Sequence, residues 1–415
     1  MNQSYSSRVS TSIPSRPVDL LLKRVFSIDV FRALTMLIMI FVNDFGTLSG
    51  IPIWLEHAHA DQDFLGFSDV VFPCFLIIVG MSIPFSIRQR LDKGDSYLQI
   101  IWHITLRSIA LLVMGVFTVN TPDLNAEATG MRVEWYQILM VLGFFLIWNQ
   151  YPKREDVLKT VFTALQLLGV GLLAYLAVIF RGGPDDALTR MTPQWWGILG
   201  LIGWTYFTCS ILYLFLYKQP ILLLISWLFF TVLTIAGHAG WLHALWPDGP
   251  RNWTLDNGAF NAFAFAGILA TLLLTRVQRM GKTQQLPLLF TGIGILFLVA
   301  GFLARNFFII SKIQATPTWI LLSCGIGFIV YAGIYWLVDM NGKASWFDPI
   351  KPAGTSTLTC YVLPYLYYSL VDLSALSLPE SLKTGGVGLV KSLLFAFLIV
   401  GITAVLGRLK IKLKL

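Results

Sequence analysis

The chain predicts an all-α protein: a polytopic bundle of about twelve transmembrane helices with both termini on the cytoplasmic side. Three observations lead there. Of 415 residues, 56% are hydrophobic and only 13% charged, with a mean hydropathy of +0.71; a soluble domain carries about 25% charged residues. Windows of about 20 mainly apolar residues, enough to cross a bilayer, recur along the whole sequence. Lys and Arg, finally, alternate between rich and poor in the successive connecting loops, which is how membrane topology is encoded. Fourteen Trp and fourteen Tyr suit aromatic belts at two interfaces.

The windows run over 26–46, 69–87, 98–118, 134–150, 158–180, 196–217, 220–237, 257–275, 285–304, 317–338, 355–373 and 387–407. The fourth is short and the eleventh polar, so ten or eleven spans also fit. Only Tyr217-Lys218-Gln219-Pro220 separates the sixth from the seventh, which predicts a tight hairpin. Residues 1–24 are polar and Ser-rich with no apolar core, so they read as a cytoplasmic tail before an uncleaved signal-anchor. Residues 25–408 form the membrane domain, and 409–415 a short basic cytoplasmic tail. With the N-terminus inside, inner segments hold 20 of the 30 Lys and Arg and outer segments hold 7. Arg32, Arg107 and Lys391 lie within windows. The net charge of +8 is therefore a topological asymmetry, and nucleic acid is excluded as a partner. There is no internal repeat or paired set of broken helices of the kind found in many transporters. The outer loops 119–133, 181–195 and 237–256 have the Pro, Gly, Asp, Asn and Trp content of a vestibule. Cys74, Cys209, Cys324 and Cys360 sit in apolar runs without a CxxC, as small packing residues.

The residues able to do chemistry concentrate in 27–89. Asp29, Arg32, Asn43, Asp44 and Asp69 fall in or beside the first two windows. An ionisable group at membrane depth costs about 2.5–3.5 kcal/mol, so a cluster of them marks a functional site; the plain alternative is that they snorkel to the headgroups. On a helix, Arg32 and Asn43 come within about 20° of one another and about 16 Å apart along the axis, with Asp29 within about 40° of Asn43. Such a stripe fits a long charged ligand threaded part-way through the membrane. Asp29 and Arg32, at i and i+3, can equally form a structural ion pair. The loop 48–68 has no Lys or Arg and faces outside, carrying Glu56, His57, His59, Asp61 and Asp63. A neutral imidazole near a carboxylate can act as general base or nucleophile, although a loop histidine is by default merely solvated. His57-Ala58-His59 lacks a third matched ligand, so no metal is expected. Asp69 reads as the N-cap of the second helix.

His103 and Arg107 share a face of the third helix. A buried Arg must meet an anion, either Asp29, Asp44 or Asp69 or a ligand phosphate. The eleventh window, dense in hydroxyls over 354–365 and interrupted by Pro364, serves close packing or lines a wet cavity; packing is the default for any single residue. His238 and His243, near Trp241 and Trp246, can stack on a sugar or simply anchor the interface.

The first helix, S-I-D-V-F-R-A-L-T-M-x-x-M-I-F-V-N-D, and the second, D-V-V-F-P-x-F-L-x-x-V-G-M-S-I, resemble the heparan-α-glucosaminide N-acetyltransferase family. Weaker matches follow in order: Arg132 with Gln137, Thr318-Trp319, Val338-Asp339, and Ala353-Gly354-Thr355-Ser356 with Tyr361. The likeness is specific over 27–90 and diffuse elsewhere; spans six and seven exceed the family's core. It implies a multipass enzyme that passes acetyl from cytosolic acetyl-CoA to an amine or hydroxyl of a sugar or glycan across the bilayer. Carried over by motif, His57, preceded by Trp54-Leu55-Glu56, is the catalytic histidine, with His59 the second candidate. Asn43 would stabilise the oxyanion and Asp69 would orient the imidazole or the acceptor. Arg32, Arg107, Arg88 and Asp29 are expected around acetyl-CoA, and Asp44, His59 and Trp54 around the acceptor. The resemblance points to a bacterial cytoplasmic (inner) membrane, since the large lumenal domain before helix one of the lysosomal enzyme has no counterpart, and it allows a homodimer. The reading from another class is a secondary transporter for a glycan fragment or organic anion; a third is a non-catalytic polymer-export partner.

Overall fold

A computed structural model describes residues 25–152, 157–242, 257–374 and 378–415. The N-terminal tail, His243 and Trp246 lie outside the described residues. Each of the twelve windows is a helix: α1 Phe26–Asn43, α2 Phe67–Asp92, α3 Tyr97–Asn120, α4 Val133–Trp148, α5 Val157–Ile179, α6 Ile198–Leu216, α7 Pro220–His238, α8 Ala259–Arg279, α9 Leu286–Ala304, α10 Pro317–Tyr335, α11 Thr357–Leu373 and α12 Gly385–Arg408. Among the described residues, ten are long and apolar enough to cross a membrane. The exceptions are the 16-residue α4 and the 17-residue α11, which contains Pro364. The protein is a polytopic helical membrane protein, because only helices can satisfy their own backbone groups in lipid.

Lipid gives no hydrophobic drive between helices, so close approach of small residues must hold them together. At Gly80 on α2, an added Cβ would stand 1.9 Å from the carbonyl oxygen of Ala264 on α8; at Gly267 on α8 it would stand 2.0 Å from that of Ile77. The α2–α8 crossing is backbone against backbone. α3 and α6 meet likewise at Gly115 and Gly200. Beside this crossing the buried indole of Trp319 packs edge-on to Phe263 at 4.9 Å.

α1 runs through the middle of the bundle, against α2, α10, α12 and the short helix Lys351–Thr355. Its first backbone donors have no helical partner and are taken by Asp339: Phe26 N–H at 3.1 Å and Ser27 N–H at 3.0 Å. Asp339 sits in a π-turn, Trp336–Met340, that follows α10, so two distant segments fix the start of α1. At its other end α1 passes into the 3₁₀ turn Asp44–Thr47.

Asp69 is not the N-cap of α2. The helix starts at Phe67 with Gly66 as N-cap, and Asp69 reaches back from the first turn to the Gly66 N–H at 3.1 Å. Residues 409–415 do not hang free: Leu413 is buried, Lys412 N–H donates to Asn149 Oδ1 at 2.8 Å, and Lys414 N–H donates to the Trp148 carbonyl at 2.9 Å.

If the α2–α8 contact holds the bundle, Gly80→Ala should lower the detergent-solubilised unfolding temperature, at a cost of about 1–3 kcal/mol for overpacking. Gly401→Ala, where the added methyl meets nothing within 4 Å, should leave it unchanged. Equal melting of both variants would refute the crossing.

Candidate active site: two cavities walled by one tyrosine

The C-terminal end of α1, the loop to α2 and α11 enclose a cavity of about 630 Å³, called outer after the side the loop charges predict for it, lined by Asn43, Glu56, His57, His59 and Tyr365, among others. A second cavity of about 440 Å³, deeper along α1, is lined by Arg32, Ser82, Arg107, Thr355, Ser356 and Lys412, among others. Both volumes are of ligand size. Tyr361 of α11 and Ile198 of α6 wall both cavities, so the two spaces adjoin there. Arg32 and Asn43 thus line different chambers on one helix.

In the outer chamber, His57 Nδ1 lies 2.7 Å from Asp69 Oδ1. An ionised carboxylate only accepts, so the tautomer that satisfies this contact carries its proton on Nδ1 and its lone pair on Nε2. The other carboxylate oxygen of Asp69 takes two backbone donors, Ala58 N–H and Gly66 N–H, each at 3.1 Å. Gly66 is required: a Cβ there would fall 1.8 Å from the Glu56 carbonyl oxygen. Ser68 Oγ donates to the Leu55 carbonyl at 2.6 Å, and the Trp319 indole N–H donates to the Asp69 carbonyl at 3.0 Å. The loop, the start of α2 and α10 all converge on one buried aspartate, 1% exposed.

Sequence reasoning missed the segment after α9. Lys312 Nζ stands 3.1 Å from His57 Nδ1 and 3.8 Å from Asp69 Oδ1. Burial presses the Lys312 ammonium below its usual range, while Asp69 pulls the other way. The segment is clamped to the histidine loop by Asp63, which accepts from Arg305 Nε at 2.8 Å and from Ile310 N–H at 2.7 Å. Ser311 Oγ and Gln314 Nε2 both donate to the Ala60 carbonyl. Burial raises the Asp63 carboxyl, but the Ile310 and Arg305 contacts outweigh it and hold the group below its ordinary range. Lys312 had no local signal; only an outer-loop charge was legible.

Asp44 faces inward rather than onto a ligand. Its carboxylate, 1% exposed, accepts from Lys391 Nζ at 2.6 Å, from Ser392 Oγ and from the Tyr368 hydroxyl. Lys391, which the sequence left without a role inside a span, is its counter-ion and ties α12 to α1. Asp29 pairs with Arg32 at 3.2 Å, and Arg32 also donates to Ser82 Oγ at 2.7 Å. The three aspartates offered as partners for Arg107 are thus occupied elsewhere. Arg107 lies over the ring of Tyr206, 4.7 Å from its centroid, and its Nε is buried with no hydrogen-bond partner among the described residues. The inner chamber adds Lys412, whose ammonium burial and then the Lys414 charge press below its usual range. Among the described residues Arg107 and Lys412 form no ion pair, and they line this space together with the Asp29-paired Arg32.

Two expected residues lie elsewhere: Trp54 is exposed outside both cavities, and Arg88 lies in a separate cavity, pairing with Asp92 at 3.7 Å. His238 directs Nδ1 at the Thr234 carbonyl and Nε2 at the Gln314 carbonyl, so it braces the loop next to Lys312. α11 lines both chambers, through Tyr361, Tyr365 and Thr357, with Thr355 and Ser356 just ahead of it; packing alone does not account for this polarity.

The fold is that of an integral, multi-pass helical membrane protein, with a histidine–aspartate pair at one mouth and a chamber lined by Arg32, Arg107 and Lys412 behind it. More than half of the chain, residues 24–275, matches the family described as a domain of unknown function, DUF5009, and the chain belongs to that family. It is also similar to heparan-alpha-glucosaminide N-acetyltransferase of Mus musculus, 36% identical over 149 residues, and of Homo sapiens, 35% identical over 97 residues. Those stretches are 34% and 23% of this chain and only 22% and 14% of the mouse and human proteins.

Two outcomes follow from the geometry. Lys312 Nζ lies 3.1 Å from His57 Nδ1, so Lys312→Met should change the rate at which diethyl pyrocarbonate modifies His57 at a fixed pH. An unchanged rate would show that Lys312 does not act on the imidazole. The Asp63 clamp should persist above about pH 4 and loosen below it: a carboxyl held low when folded adds stability above its unfolded value, and that stability is lost as pH falls through the folded one. Hydrogen exchange at the Ile310 amide reads this directly. Asp63→Asn should expose the amide already at neutral pH.

Proposed function

We propose that this chain is a transmembrane acetyltransferase of a bacterial cytoplasmic membrane. It takes acetyl from cytosolic acetyl-CoA and delivers it to an amine or hydroxyl of a sugar or glycan on the opposite side. The observation that carries the reading is the division of labour along α1: a cation-lined chamber at Arg32 and Arg107, sharing the Tyr361 wall with a chamber that holds His57 and Asn43. Similarity to named N-acetyltransferases supports the reaction class.

In this reading the phosphates of acetyl-CoA rest against Arg107, Arg32 and Lys412, of which Arg32 also pairs with Asp29. The thioester reaches past Tyr361 into the outer chamber. His57 Nε2 removes a proton from the acceptor nitrogen or oxygen as that atom attacks the thioester carbonyl. Asp69 keeps the imidazole in the needed tautomer and steadies the imidazolium that forms. The Asn43 amide donates to the developing oxyanion, which matters most where water is scarce. As the C–S bond breaks, the CoA sulfur leaves as thiolate and takes the proton back.

The test is acetyl transfer by purified protein, with release of CoA thiol as the readout. His57→Ala should lower turnover by roughly 10²–10⁴ and Asn43→Ala by roughly 10²–10³, both with unchanged elution from a sizing column. Arg32→Ala/Arg107→Ala should weaken acetyl-CoA binding by roughly 10- to 100-fold. Thiol release untouched by His57→Ala would overturn the assignment of the base; an absence of thioester chemistry in the wild type, with uptake of a glycan fragment into vesicles, would establish the transporter instead.

A further inference from the structure

A third cavity, about 1110 Å³, shares no lining residue with the two already described. It lies between the ends of α2, α6, α7 and α8 that carry the excess of Lys and Arg, and it extends to α9. Its floor is α8, at Leu269, Ala270 and Leu273. Trp227 of α7 and Phe297 of α9 close its deep end, their rings edge-to-face with centroids 5.8 Å apart. Between that contact and the start of α7, Ile221 and Leu224 are both cavity-lining and exposed on the outside of the bundle. The space therefore opens sideways, where hydrocarbon would be.

The polar groups gather at one end only. Arg88, Arg276 and Arg279 stand there with Tyr213 and Tyr217 against a single carboxylate, Asp92, which takes Arg88 at 3.7 Å. Arg276 and Arg279 are exposed and pair with no carboxylate among the described residues. By the loop-charge rule this is the cytoplasmic end.

We infer that this cavity holds one anionic phospholipid of the cytoplasmic leaflet. Its phosphate sits against Arg276 and Arg279, and an acyl chain lies along α8 as far as Trp227, roughly 10 Å above the start of α7. A basic pocket between transmembrane helices on this side is matched to anionic headgroups. A zwitterionic headgroup brings its own cation, which two unmatched guanidinium groups repel. A nucleotide would have to press ribose and phosphate against Leu, Ala and Phe, so the walls select a lipid over acetyl-CoA. The inference stands apart from the acetyltransferase reading.

Native mass spectrometry of the full chain decides it, with phosphatidylglycerol and phosphatidylcholine of the same acyl chains as probes. Wild type should retain phosphatidylglycerol preferentially. Arg276→Gln/Arg279→Gln should bind it roughly 30-fold more weakly, the factor for two cation contacts, and Arg276→Lys/Arg279→Lys should keep most of the preference. Equal retention of both lipids, indifference to the glutamine pair, or displacement of phosphatidylglycerol by acetyl-CoA would each overturn the assignment. Both variants change exposed side chains, and unchanged elution from a sizing column confirms their folding.

Discussion

A carboxylate carried into a bilayer must find its own donors, and Asp69 shows how much structure that requirement can organise. One oxygen holds His57, the other holds the backbone of Ala58 and Gly66, and its main-chain carbonyl takes the indole of Trp319. Loop, α2 and α10 are thereby fixed to a common point. An ion left unpaired there would cost several kcal/mol, so the contacts are obligatory once the residue is present. The imidazole orientation is a by-product of satisfying that charge. The close contact of Gly66 with the Glu56 carbonyl is the steric counterpart of the same arrangement.

The same accounting separates structural charges from available ones. Asp44 is consumed by Lys391, Ser392 and Tyr368, and it holds α12 to the end of α1 next to Asn43. Asp29 is taken by Arg32. Once these acids are matched, positive charge remains around the inner chamber, where Arg107 has an orphaned nitrogen and Lys412 is pressed by burial and by Lys414. Arg107 and Lys412 are only half-buried there, which leaves their charge open to the chamber.

The two sides of the site differ in how they are held. The inner chamber is built on helices, with α1, α3, α6 and α11 locked by glycine contacts such as Gly115 on Gly200. The outer mouth is built on loops. It depends on the clamp of Asp63 with Arg305 and Ile310, and on the bracing of Gln314 by His238. The loop-built mouth is therefore the more easily opened, by acid or by mutation, while the chamber behind it keeps its shape.

The sequence by itself determined the class of fold. Hydropathy windows, loop charges and the weakness of windows four and eleven are local properties, because a span is defined by what lipid excludes. It also singled out 27–89 as the candidate site, since ionisable groups there stand out against apolar neighbours, and the pairing of Asp29 with Arg32 lay in i,i+3 spacing. Partners far apart in the chain could not be read. Lys312 meets His57 across 255 residues and Lys391 meets Asp44 across 347, distances over which no period or motif persists. Whether Arg88 joins Arg107 was likewise undecidable, for only helix packing sends one to the α8 cleft and the other to the α1 chamber. Periodicity fixes which residues share a face of one helix; packing alone decides what that face meets.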